Sequence, residues 1–154
     1  MESSAPILII GYGNELRGDD AAGPRVAASL EGLGLAGGRV LIRHQLTPEL
    51  AEPIAGARAA IFVDAAWNAE SEEVMVKPLH PGPRAGVSAH TADPRGLLAL
   101  AEILYGRSPP AWLVTIPGRD FDLGKPLSPV AARGVEVAVV RVRELLRDAQ
   151  SARK

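Results

Sequence analysis

The chain contains no cysteine, which excludes disulfides, thiol nucleophiles, iron–sulfur clusters and thiolate zinc sites. Any metal is left to oxygen and imidazole donors. Aromatic residues make up only 4% of the sequence, and neither charge sign dominates, with 17 basic against 18 acidic residues and a net charge of -1. Phosphate neutralisation needs a basic face, so the bulk charge gives no case for nucleic acid as a partner. Long hydrophobic runs are missing too. The start, MESSAPILII, has no basic segment and its apolar run covers only Ala5 to Ile10, too short for a signal core or a membrane span. The expectation is a soluble, cytoplasmic chain with no membrane partner.

What is present fits one compact domain over residues 1–154, at 47% hydrophobic composition, long enough to bury a core. Ala5 to Ile10 (APILII), Arg39 to His44 (RVLIRH), Ala59 to Val63 (AAIFV) and Ala111 to Ile116 (AWLVTI) are aliphatic runs of the kind that form strands covered on both faces. Glu73 to Leu79 is also strand-like, but Pro78 cannot donate a ladder hydrogen bond and confines it to an edge, with an antiparallel course expected. Between the strands lie helical signals. Val26, Ala27, Leu30 and Leu33 share a face after Pro24, with Gly34 as a stop; Thr47 offers an N-cap for Pro48 to Ala55. Asp93 and Pro94 open a helix carrying Leu97, Leu98, Ala101, Leu104 and Tyr105 on one face, with Gly106 as its stop. Val130 to Leu146 reads as helix or strand, and its length and terminal charges favour helix. The order predicts a three-layer α/β/α sandwich with a mostly parallel five-stranded sheet and one antiparallel edge strand.

In such sheets, ligands sit outside the carboxyl ends of the strands. There the loop Gly11 to Gly23, GYGNELRGDDAAG, presents Asn14, Glu15, Asp19 and Asp20 between the first strand and the first helix. Its glycines suggest a dinucleotide loop, yet Gly18 comes too late for the G-x-G-x-x-G spacing, and two aspartates would oppose a pyrophosphate. A cation suits the loop better. Asp64 closes the third strand, and His90 lies in a segment rich in proline and glycine.

The blocks GYGNELRGDD, FVDA at Phe62 to Ala65 and SAHT at Ser88 to Thr91, in this order and rough spacing, resemble the three blocks of the hydrogenase maturation endopeptidases. The later segment with Pro117, Gly118 and GKPLSP is similar to that family's C-terminal region, so the likeness covers nearly the whole chain. The resemblance implies an endopeptidase that removes a C-terminal extension from the large-subunit precursor of a [NiFe] hydrogenase after nickel is installed. It implies Asp20, Asp64 and His90 as both metal ligands and catalytic residues. Nickel would come with the substrate, and other divalent metals are able to occupy the same site. Hard oxygens and one imidazole suit a first-row divalent ion and leave positions open for substrate. Such an ion polarises a scissile carbonyl or lowers the pKa of a bound water, with a carboxylate as base. From another class, a non-catalytic module that senses or carries nickel would use the same three ligands.

Structural roles stand beside these. Asp20 or Asp19 is able to cap the helix beginning near Ala21, Asp64 to make a turn with its own backbone, and His90 to sit in solvent. Asn14 is expected to hydrogen-bond loop backbone, and Glu15 and Arg17 to be exposed for substrate contact. Trp67 and Trp112 are expected in core or rim packing, with Trp67 also placed to line a peptide groove.

Overall fold

In a computed structural model, described over residues 5–67, 71–83 and 93–151, the chain forms a five-stranded sheet covered by helices on both faces. The strands are β1 (Ile7–Tyr12), β2 (Gly38–Arg43), β3 (Ala59–Ala66), β4 (Met75–Leu79) and β5 (Ala111–Pro117). The helices are α1 (Ala22–Leu33), α2 (Ala51–Ala55), α3 (Pro94–Tyr105) and α4 (Pro129–Ser151), with single 3-10 turns at Gly18–Ala21 and Pro48–Leu50. Spatial strand order is β2-β1-β3-β5-β4. The pairs β1–β2, β1–β3 and β3–β5 are parallel, and β4 runs antiparallel to β5. The expected sandwich and its antiparallel edge are therefore present, and Pro78 sits on that edge strand opposite Trp112.

Period-two alternation divides each strand between two cores. Ile7 and Ile9 of β1, with Ile61 and Val63 of β3, pack with Val26 and Leu30 of α1 and Ala138, Val142 and Leu146 of α4. Leu8, Ile10, Ala60 and Phe62 face the other way, onto Ile54 of α2 and Leu97, Leu98 and Ala101 of α3. Both faces of β1 and β3 are thus dry, which is why their sequences read as unbroken aliphatic runs. Among the described residues, no helix is long and apolar enough to cross a membrane.

Several local expectations shift. The first helix begins at Ala22 with Ala21 in the N-cap position and no side-chain cap bond, so neither Asp19 nor Asp20 caps it. Leu33, Leu104 and Tyr105 are exposed rather than buried, because each stands in the last turn of its helix, beyond the sheet's cover. Thr47 occupies its cap position, but its hydroxyl donates to Glu49 (2.7 Å) instead of accepting a helix amide. Asp93 caps α3 as expected by accepting the Arg95 amide at 2.9 Å, and Gly34 and Gly106 end α1 and α3 in the left-handed region. The ambiguous C-terminal run is a helix, and Val137 and Val140 lie on its solvent side.

Candidate functional site

The chain leaves β1 to one side for β2 and returns across β1 to β3, so the carboxyl ends of β1 and β3 flank the point where strand order reverses. That crevice is where an open α/β sheet receives ligands. Asp64 pairs with Thr115 inside β3, two residues before the strand ends, and so is part of the ladder rather than a cap beyond it. Asp20 sits on the 3-10 turn that follows the loop after β1, half-buried. Gly23 lets the start of α1 lie on the strands: a Cβ there would stand 2.7 Å from the Tyr12 carbonyl oxygen and 2.5 Å from that of Val63.

The charge of Asp20 reaches Asp64. Burial pushes the Asp64 carboxyl up to about 6, and the negative charge of Asp20 pushes the same way; hydrogen bonds from the Ala65 amide (2.8 Å) and the Tyr12 hydroxyl only partly offset this. The self-turn with Ala65 therefore exists, and among the described residues no positively charged group offsets the burial of Asp64. Asp20 accepts the Asn14 amide through Oδ2 at 2.7 Å, and Asn14 Oδ1 accepts the Leu16 amide at 2.9 Å, the expected loop-stabilising role. Two repelling carboxylates at one sheet edge have the donor chemistry of a divalent-cation site. Among the described residues, no group of three His, Asp or Glu side chains is arranged to hold an ion. The third member of the expected set, His90, lies outside the described residues.

Sequence reasoning missed two participants. Tyr12 follows Leu8 and Ile10 along one face of β1, and Asp64 follows Phe62 along the same face of the adjacent β3. The period-two pattern was the available signal for their meeting. Burial first, and then the charge of Asp64, hold the Tyr12 phenol above its ordinary value, with Asp93 and Asp20 adding to the effect; it is a fixed donor to Asp64.

The second is the role of Asp19. Fully buried, it accepts the Arg119 amide (2.6 Å), the Asp120 amide (3.1 Å), and both the amide (2.7 Å) and the hydroxyl (2.6 Å) of Ser128. Desolvation pushes its carboxyl up, but the Ser128 hydroxyl and the backbone amides outweigh it and hold the group below the ordinary 3.8. Its own amide donates to the Asp120 carbonyl (2.7 Å), and Gly18, at φ +51°, makes that approach possible, since a Cβ would collide with the same oxygen. Partners more than 100 positions away leave no local signal.

Around this edge, Glu15 and Arg17 are exposed as expected, and Trp112 is half-buried. Trp67 is a rim residue, 63% exposed and stacked on Phe121 with ring centroids 4.0 Å apart and planes at 15°. Between the first loop and the end of β2 lies a depression of about 220 Å³, bordered by Asn14, Glu15, Leu16, Arg43 and His44.

No protein-family model and no curated protein matches the sequence. Solved structures do match. The hydrogenase maturating endopeptidase HybD from E. coli superposes with a TM-score of 0.70 at 23% identity, over 94% of this chain and 93% of its own. The [NiFe] hydrogenase maturation protease HybD from Thermococcus kodakarensis gives 0.66 at 24% identity, over 91% of this chain and 98% of its own. HycI from Thermococcus kodakarensis KOD1, also a [NiFe] hydrogenase maturation protease, gives 0.62 at 21%, over 96% and 93%. The α/β/α architecture is thus the one that hydrogenase maturation endopeptidases adopt, matched over almost the full length of both partners. At these identities the likeness is one of fold.

Proposed function

We propose that this chain is a hydrogenase maturation endopeptidase that removes the C-terminal extension of a nickel-loaded [NiFe] hydrogenase large-subunit precursor. The observation that carries this reading is the pair Asp20 and Asp64: two mutually repelling carboxylates at the strand-order reversal of a fold used by proteases of this kind. His90, three positions before Asp93 in sequence, completes the proposed ligand set.

In this reading nickel belongs to the substrate, and Asp20, Asp64 and His90 seat it. Bound there, the ion would supply electrophilic polarisation of the scissile carbonyl. The protein supplies position. Tyr12 holds the Asp64 carboxylate by its hydroxyl, and the Asn14 amide holds Asp20 at 2.7 Å, so both carboxylates have fixed directions before the substrate arrives. A carboxylate oxygen left free by the ion would serve as base toward water.

Incubating the protein with nickel-loaded and nickel-free precursor, with mass spectrometric detection of the released peptide, tests the reading. Release from the loaded form alone is expected. Tight nickel binding with no peptide release from either form would instead assign the chain to nickel sensing or transport.

A further inference from the structure

The edge that carries Asp20 and Asp64 also carries large apolar side chains that the fold leaves in solvent. Leu16 is 70% exposed, Leu123 67% and Trp67 63%. The backbone presenting them is held firmly. Leu16 donates its amide to Asn14 Oδ1 at 2.9 Å, while its carbonyl accepts the Gly124 amide at 2.8 Å, which joins the first loop to the loop bearing Leu123. That second loop is anchored below by the four hydrogen bonds to Asp19, and Trp67 lies on the buried ring of Phe121 in the same loop.

We propose that Leu16, Leu123 and Trp67 form a docking rim on which the folded precursor subunit seats, so that its C-terminal segment reaches Asp20 and Asp64. The inference rests on the reading of the site as a processing protease. Apolar side chains on a pre-ordered backbone bind at low entropic cost, and a few such anchors dominate protein interfaces. The surrounding charges, Glu15, Arg17, the Arg119–Glu72 ion pair (2.8 Å) and Asp122, are mixed in sign. Mixed charge around an apolar centre matches a folded protein surface, whereas an anionic membrane would call for a cluster of basic residues. The rim is continuous with the edge of Asp20 and Asp64 because Leu16 and Asp20 both lie between β1 and α1, so a protein seated on the rim lies beside that edge.

Steady-state cleavage of nickel-loaded precursor by Leu16→Glu, Leu123→Glu and the double variant tests the rim, with Leu33→Glu and Leu104→Glu as exposed leucines elsewhere. Each rim change is expected to raise KM about tenfold with kcat retained. Melting temperature stays near wild type, and both distant variants keep the wild-type KM. An unchanged KM in the double variant, or an equal rise in the distant ones, would overturn the proposal. So would sedimentation showing a wild-type dimer that Leu16→Glu dissociates, since the rim would then belong to a second copy. Absence of any cleavage by wild type is a different result: it removes the protease reading itself.

Discussion

Asp19 and Asp64 are carboxylates at the same edge of one sheet, and their surroundings push them in opposite directions. Asp19 is sealed and meets four donors, which hold it ionised. Asp64 is half-buried, feels the charge of Asp20, and among the described residues has one backbone amide and one phenol to meet its own. A satisfied buried ion is a structural part; an under-satisfied one is kept at a cost in stability, and in the proposed reading that is where the cation of the substrate is seated. The adjacent Asp19 and Asp20 divide along the same line, since the turn between them sends one into the clamp and the other to the site.

The largest expected effect comes from breaking the clamp. Asp19→Ala strips four donors of their buried acceptor and is expected to lower unfolding free energy by about 4 kcal/mol in urea titration. Because its folded pKa is depressed, Asp19 contributes stability that is complete above its ordinary 3.8 and lost as pH falls through the lower folded value. The variant is expected to lack that acid-side loss.

Asp64 is expected to behave oppositely. Its folded pKa is raised from 3.8 to about 6, so the folded state holds a proton that the unfolded state gives up, and stability falls as pH rises through that interval. Asp64→Asn in the metal-free protein is therefore expected to be more stable than wild type by about 2 kcal/mol above that interval, with the gain vanishing toward its acid end. Thermal melts across pH check this, and a destabilised variant at neutral pH would erase the contrast.

Smaller changes sharpen the comparison. Tyr12→Phe removes the phenol that positions Asp64 and is expected to weaken nickel binding by about tenfold in calorimetry, with the fold retained. Trp67→Ala loses its stack on Phe121 and is expected to cost about 1 kcal/mol of stability, visible as a small shift in urea midpoint.

Much of the fold was legible because its signals are local. Unbroken aliphatic runs marked strands buried on both faces, Pro78 marked the edge strand, and Asp93, Gly34 and Gly106 marked helix ends. That Asp20 and Asp64 come to one edge of the sheet was legible from the order of strands and loops. What the sequence hid is what the tertiary fold supplies: the clamp joins Asp19 to residues more than 100 positions away, and Tyr12 meets Asp64 only once β1 and β3 pair. The capping role open to both aspartates failed because the turn at Gly18–Ala21 turns their carboxylates toward tertiary and loop amides instead. Leu104 and Tyr105 kept the helical period of the buried face but lie past the sheet's cover.

The central claim is that Asp20, Asp64 and His90 together seat the nickel of the precursor. Its most direct test is peptide release from nickel-loaded precursor by wild type and by Asp20→Ala, Asp64→Ala and His90→Ala, each first shown to be folded. The account predicts that nickel-dependent release falls about 100-fold or more in each variant. Release at the wild-type rate by all three would contradict it.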